Sequence, residues 1–439
     1  MADTTILTPD QQKGAEAFFT FLMSDATEFV LSGGAGVGKT FLMSHLCRKV
    51  MKDYEDACVM MGIEALFDEL VFTATTNKAA EVLEQSLGLP VQTIHSYLGL
   101  RVFNDFKTGK QRLEKTGNFT IRHKKIVFID ESSMIDTNLH NIIRGAFKDS
   151  KIIYVGDHAQ MAPVEEDISP VYLNVDPANF IFLSQAVRNA DSPALMSLCA
   201  QLRQTVETGE FTNIAPVPGS IEYLNEAQMD EKLHEYFAKQ QSDARILCYT
   251  NTRVEAYNAY IREIQGLPME FVPGDVVVTA NTYPITSKDI LNVERELTIL
   301  GIGDEIYTFG HGDLFDWRMV VQYRVITAKT TFGTTINIRV PLDKVRWLAA
   351  VKELARQKRW PEHFELKELC ADLRFKAACT VYKSQGSTYK TVFIDIGNIG
   401  TSYDANQVAR MLFVAASRAT TKVYLFGRLP TRYRGALAA

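Results

Sequence analysis

Lys39, Thr40, Asp130 and Glu131 are the residues of this chain whose types and neighbours can do chemistry together. GGAGVGKT, Gly33 to Thr40, fits the spacing G-x-x-x-x-G-K-[ST]. The apolar FVL before it and FLMSHLC after it supply the strand–loop–helix setting that a phosphate loop needs. Gly33, Gly36 and Gly38 let backbone N–H groups turn inward around phosphates, and the helix N-terminus adds partial positive charge. In that setting Lys39 reaches the β- and γ-phosphates and the Thr40 hydroxyl ligates Mg²⁺. The spacing predicts a bound nucleoside triphosphate.

Two further stretches end apolar runs in polar groups. KKIVFIDESS, 124–133, closes on Asp130, which can hold Mg²⁺ through water, and Glu131, which can orient and deprotonate an attacking water. A solvated strand end is the plain alternative for such a pair. IIYVGDHAQMAPV, 152–164, ends in Gly-Asp with Gln160 three residues on, an amide able to touch both a γ-phosphate and its water. Alone, that stretch reads equally well as an ordinary loop.

The elements that must position these groups follow from the patterning. With 439 residues, 46% hydrophobic and 23% charged, the chain has material for several structural units and a sizeable core. A net charge of −5 advertises no basic surface, yet a basic groove can sit on an acidic protein. Six scattered cysteines without a C-x-x-C pair, and eight histidines without ligand spacing, read as free thiols in a reducing compartment rather than a zinc site. The polar N-terminus and the lack of any run of ~20 apolar residues point to a cytosolic protein with no membrane partner. Apolar runs at 28–32, 70–74, 125–129, 152–155 and 180–183 predict a mostly parallel sheet covered by helices, which binds ligands beyond the strands' carboxyl ends. After a Pro/Gly patch at 213–220, a second α/β pattern uses 245–250, 253–264, 390–396, 407–417 and 422–427. Between about 275 and 375 lie short β-like runs and a basic helical stretch carrying Trp347 and Trp360.

In this order, GGAGVGKT, IDESS and GDHAQMAP resemble motifs I, II and III of superfamily 1 helicases. LTPDQQ (7–12) is similar to the Q motif, FTATTNKAAEVL (72–83) to motif Ia, TIHSYLGL (93–100) to motif Ib, LSQAVRN (183–189) to motif IV, TVYKSQGST (380–388) to motif V and FVAASRA (413–419) to motif VI. The resemblance spans 7–419 and runs to the RecD-like branch, superfamily 1B; Tyr382 stands where that branch usually has His. It implies an α/β fold of two RecA-like parallel-sheet domains. The first covers 1–190 and carries a β-hairpin insertion at about 98–120. The second covers 191–280 plus 376–439 and carries a small β-rich, SH3-like insertion at 281–375. It implies ATP and Mg²⁺ as cofactors, with Gln11 reading the adenine edge, Gly386 contributing to the nucleotide site, and Arg188 and Arg418 meeting the γ-phosphate. Each arginine could instead make a local salt bridge.

The same resemblance implies a monomer that translocates 5′→3′ on single-stranded DNA and unwinds forks, alongside single-strand-binding or replication proteins, in a host cytoplasm if phage-encoded. Candidate strand contacts are Thr75, Asn77, Lys78, Thr93, His95 and Ser96 in the first half, and Thr250, Asn251, Thr380 and Lys383 in the second. Thr93 and Ser96 read equally well as helix capping. RVFNDFKTGKQRLEKTG, 101–117, predicts a hairpin with Gly109 at its turn; the resemblance implies that an aromatic on such a hairpin, Phe103 or Phe106, splits the duplex, while the residues alone read equally well as both packing against their own domain. Trp347 and Trp360 fit a helix core as well as any ligand role. Two other readings stay open: a translocase that strips proteins but unwinds poorly, and a degenerate helicase fold serving as a DNA-binding scaffold.

Overall fold

The computed structural model describes residues 7–34, 36–67, 69–105, 107–108, 111–163, 166–173, 175–185, 192–239, 242–285, 290–291, 293, 295–310, 317–331 and 333–433. Arg188, Phe106 and Gly109 lie outside them. By packing, the chain forms two units: 1–100, 115–225 and 384–439 make the first, and 101–114 and 226–383 the second.

The first unit is built on an all-parallel sheet. Its strands run in the order Phe180–Leu183, Glu28–Gly33, Lys151–Gly156, Lys125–Asp130, Glu69–Ala74 and Gln92–Thr93. Near-continuous apolar strands suit this, because helices cover both faces of a parallel sheet. Five of the six strands coincide closely with the expected runs. Gln92–Thr93 is too short to show alternation in sequence. Register aligns Ala74 with Asp130, which brings the motif Ia segment to the carboxyl end of the motif II strand.

Helix Pro9–Leu22 starts where the sequence requires. Thr8 is its N-cap, Pro9 fills the first turn, and Gln11 completes a capping box: Gln11 N–H donates to Thr8 Oγ1 at 3.3 Å, and Thr8 N–H to Gln11 Oε1 at 3.0 Å. The helix packs through an aromatic cluster. Phe18 meets Phe29 edge-on with ring centroids 5.8 Å apart, Phe21 lies 5.2 Å from Phe29, and Phe72 stacks on Phe128 at 5.2 Å. Phe18, Phe29 and Phe128 are fully buried, each contributing roughly 1.5–3 kcal/mol from area alone. The same unit holds three further parallel strands in the order Ile221–Leu224, Ala419–Phe426 and Tyr389–Asp395, with helices Pro193–Thr208 and Ala405–Ala416.

In the second unit, Ala244–Cys248 pairs in parallel with Ala378–Thr380. The segment expected to be β-rich forms an antiparallel sheet in the order Tyr307–Phe309, Val321–Thr330, Glu296–Ile302, Val276–Thr279, Leu373–Phe375, with Thr335–Pro341 also on Val321–Thr330. Trp347 is core: it is 2% exposed on helix Lys344–Arg356, and its Nε1–H donates to Leu366 O at 2.9 Å. Strands Leu100–Asn104 and Gln111–Lys115 form the expected hairpin. Its base is tied by Thr116 N–H and Oγ1–H, both donating to Gly99 O at 2.9 and 2.7 Å.

Phe29→Ala is expected to remove about 3–5 kcal/mol of stability, because the rings of Phe18 and Phe21 beside the hole cannot collapse into it. Denaturant unfolding followed by circular dichroism checks this; a loss under about 1 kcal/mol would contradict the cluster's structural weight.

Candidate nucleotide-binding and hydrolysis site

One cleft in the first unit is lined by Gly36, Gly38, Lys39, Thr40, Asp130, Glu131, Gln160, Gly386 and Arg418. These come from five separate stretches of sequence, and nearly all of the expected nucleotide residues meet there. The phosphate loop has the required backbone. Gly36 and Gly38 sit at φ of 82° and 81°, the left-handed region where a side chain is strained. Gly33 is needed for another reason: a Cβ there would lie 2.8 Å from Leu183 O and from Val37 Cγ2. Helix Lys39–His45 begins at Gly38 without a side-chain cap, which leaves its first N–H groups available to phosphate oxygens. Lys39 Nζ donates to Gly33 O at 2.7 Å and Gly34 O at 2.9 Å, which holds the ammonium over the loop.

Gln11 lies behind the loop, 2% exposed, outside the residues lining the cleft. Its Nε2–H donates to Val37 O at 3.2 Å, and its Oε1 is engaged in the capping box. In this geometry the amide braces the phosphate loop from the helix Pro9–Leu22.

The motif II carboxylates sit at the strand end. Burial first, and then the adjacent Glu131 carboxylate, push Asp130 up to about 7, against the pull of Lys39. Glu131 N–H donates to Asp130 Oδ1 at 2.9 Å. Glu131 itself occupies φ 53°, ψ 41°, an uncommon conformation for a side-chain-bearing residue. Its carbonyl accepts from Thr75 Oγ1–H at 3.0 Å and from Met134 N–H at 3.2 Å. A buried carboxyl beside a second carboxylate is a fitting place for a cation. Thr40 and Asp130 would hold Mg²⁺ there, in keeping with a metal that takes few protein ligands and completes its shell with phosphate and water oxygens. Among the described residues no cluster of three or more His, Cys, Asp or Glu forms a metal cage.

Two guanidinium groups that sequence reading missed organise the Gly-Asp loop. Arg203, on helix Pro193–Thr208, makes a two-pronged pair with Asp157 at 2.6 and 3.1 Å. Burial alone would raise Asp157, but the Arg203 charge and hydrogen bonds outweigh it and hold the carboxyl below its usual range. Arg203 also lies over the rings of Phe182 and Phe413. Arg410, on helix Ala405–Ala416, donates from Nη1 to His158 O at 2.6 Å and Gln160 O at 2.5 Å. Gln160 thereby has its backbone fixed while its buried Oε1 has no hydrogen-bond partner among the described residues. Neither arginine sits in a local motif. The sequence signal is faint: Arg203 is the one cation of its helix, with Glu207 a turn away, and Arg410 is the one cation among apolar neighbours on helix Ala405–Ala416.

Arg418 is 4% exposed and bonds to Val414 O and Ser417 Oγ. Burial lowers its pKa, and Glu131 is the first of the groups pulling it back, so the two share one electrostatic neighbourhood.

The candidate strand contacts divide between the units. Thr75 is buried and bonded as above, while Asn77 and Lys78 are half-buried at the start of the helix Asn77–Leu87, capped by Thr76. Thr93 caps the short helix Ile94–Tyr97, accepting from Ser96 N–H at 3.1 Å; His95 is half-buried, and burial lowers its pKa. In the second unit Thr250 caps helix Asn251–Ile264, Asn251 accepts from Arg374 Nη1 at 2.6 Å, Thr380 accepts from Lys383 N–H, and Lys383 Nζ donates to Ala280 O at 3.3 Å. Phe103 is 41% exposed on the hairpin. Among the described residues no helix is long and apolar enough to cross a membrane.

The raised Asp130 gives a signed expectation. Its folded pKa lies above its ordinary 3.8, so the folded protein binds the extra proton between that value and about 7. This group's contribution to stability therefore falls as pH rises through that window. Asp130→Asn should raise the melting temperature of the protein in chelator at about pH 8, with the gain shrinking towards about pH 5. A lower melting temperature for the variant at the higher pH would contradict it.

Residues 7–215 match the family described as "AAA domain", and residues 376–426 match "UvrD-like helicase C-terminal domain". The chain is 27% identical over 432 residues to the ATP-dependent DNA helicase Pif1 of Campylobacter jejuni, covering 89% of this chain and 86% of that protein. It is 22% identical over 497 residues to an uncharacterized protein of Acanthamoeba polyphaga mimivirus, covering 94% and 98%. Among solved structures, the Pif1 helicase of Candida albicans is similar with a TM-score of 0.48 at 15% identity, covering 99% of this chain and 97% of that one. Phosphate loop, paired carboxylates, Gln160 and Arg418 meet in one cleft, and the two ends of the chain match an AAA domain and a UvrD-like helicase C-terminal domain: the chain is an ATP-dependent DNA helicase, similar to Pif1.

Proposed function

We propose that this chain hydrolyses ATP to move 5′→3′ along single-stranded DNA and to separate the duplex ahead of it. The observation that carries the reading is the cleft in which motifs from both ends of the chain meet, Lys39 and Glu131 from one side and Gly386 and Arg418 from the other. A water oxygen attacks the γ-phosphorus, the bond to the β–γ bridging oxygen breaks, and Glu131 takes the water's proton. Lys39 and Arg418 meet the charge on the phosphate oxygens, with Arg188 proposed as a second arginine. Gln160, its backbone fixed by Arg410, orients the water. Thr40 and Asp130 would hold Mg²⁺, which would neutralise charge on the phosphate oxygens. Gln11 spends one Nε2–H on Val37 O, so we assign it a bracing role beside the expected reading of the adenine edge.

The strand lies along the segment that begins at Thr75, on Asn77, Lys78, Thr93, His95 and Ser96, then on Thr250, Asn251, Thr380 and Lys383, groups that bind phosphate and sugar without reading bases. We keep the expected domains as part of this reading: 1–190 with its hairpin, 191–280 plus 376–439, and an SH3-like 281–375. Within the branch, Ile94-His95 and the K-S-Q-G-S-T stretch favour the Dda helicase of T-even phages as a likeness. Single-strand-binding or replication proteins are its partners in this proposal, and the working form is a monomer. The exposed Phe103 favours unwinding over bare translocation, because an aromatic ring on a projecting hairpin can stack against the first base pair.

Steady-state ATPase with and without single-stranded DNA tests the reading. Lys39→Ala is expected to abolish turnover. Glu131→Gln should bind ATP yet lose roughly 10²–10⁴-fold in turnover, the size of a general-base contribution. Phe103→Ala should slow strand separation while DNA-stimulated hydrolysis persists. Normal turnover in Glu131→Gln would remove it as the base, and equal stimulation by RNA would remove the preference for DNA.

A further inference from the structure

Thr75 belongs to the segment that the proposed reading lays along the DNA strand, yet its hydroxyl does not face solvent. It is 9% exposed, and its Oγ1–H donates to the Glu131 carbonyl at 3.0 Å, while its N–H donates to the Asp130 carbonyl at 3.1 Å. Both carboxylates of motif II are thus bonded through their backbone to one residue of motif Ia. The carbonyl concerned belongs to the residue held at φ 53°, whose left-handed backbone is strained and persists only where neighbours impose it. Within the described residues, Glu131 is the one residue of the cleft in that state that is not glycine. Thr76 caps the following helix, and Asn77 and Lys78 open it, so a phosphate drawn to these groups moves a segment that begins at Thr75.

We propose that Thr75 is a positioning residue for Glu131 rather than a strand ligand. Its hydroxyl fixes the left-handed peptide that aims the Glu131 carboxylate at the attacking water, and strand binding at Asn77 and Lys78 sets that bond. This rests on the reading of Glu131 as base and of motif Ia as strand-binding. The residue acts through another group, so its signature is a loss in turnover at saturating DNA without a matching loss in DNA affinity. Valine is close to threonine in shape but cannot donate, and serine can.

ATP turnover as a function of oligothymidylate concentration, with oligothymidylate affinity measured separately by fluorescence anisotropy, decides the matter for the full chain and its Thr75→Val and Thr75→Ser variants. The expected result is a fall of about tenfold or more in DNA-saturated turnover for Thr75→Val, the scale of a misplaced catalytic group. Affinity for the oligonucleotide stays within about threefold, and Thr75→Ser recovers most of the turnover. Weakened binding with full turnover at saturation would overturn the proposal and make Thr75 a direct strand ligand; unchanged turnover and affinity would overturn it as well. If Thr75→Val melts early, Thr75→Ala against Thr75→Ser carries the same comparison. Absence of DNA stimulation in the unaltered chain would sink the underlying motor reading instead.

Discussion

Everything at the cleft depends on holding carboxylates and cations together out of water. Asp157 is fully buried and stays ionised because Arg203 grips both its oxygens. Asp130 has no such partner among the described residues; burial and the neighbouring Glu131 push its carboxyl up to about 7. Lys39 is held on the loop carbonyls, and Arg418 lies buried within the field of Glu131. Such a set is costly unless its charges are matched, and a triphosphate with its divalent cation would supply the missing match. The balance is therefore a binding site by its electrostatics as well as by its loop.

The parallel sheet makes that balance geometrically available. Its strands end together, so Gly33, Ala74, Asp130 and Gly156 arrive at one edge with the turns that follow them. The aromatic cluster of Phe18, Phe21, Phe29, Phe72 and Phe128 fixes helix Pro9–Leu22 on the sheet, and Gln11 on that helix braces the phosphate loop at Val37. Arg410 ties the Gln160 loop to the helix Ala405–Ala416, which runs on towards Arg418. Core packing, loop shape and catalytic placement are links of one chain of contacts.

Much of the site was legible because its motifs are local. A phosphate loop needs glycines at fixed offsets, and a motif II carboxylate follows its own strand, so both can be read from a few consecutive residues. The expected strands and the hairpin were legible from apolar runs and a turn. Arg203 and Arg410 were not, because each works at long range from a helix whose sequence looks like ordinary core. Thr75 was read as a phosphate contact because a hydroxyl after a strand looks the same whichever way it turns; only the register that sets Ala74 against Asp130 reveals the Glu131 carbonyl as its acceptor. Arg188 and Phe106, both prominent in the sequence, lie outside the described residues.

The central claim is that chemistry in this cleft drives directional movement on DNA. Strand displacement on two partial duplexes that differ only in carrying a 5′ or a 3′ single-stranded tail tests it most directly, with ATP present and Lys39→Ala as control. The account predicts displacement from the 5′-tailed substrate alone. Displacement from the 3′ tail alone, or from neither while DNA still stimulates hydrolysis, would contradict it.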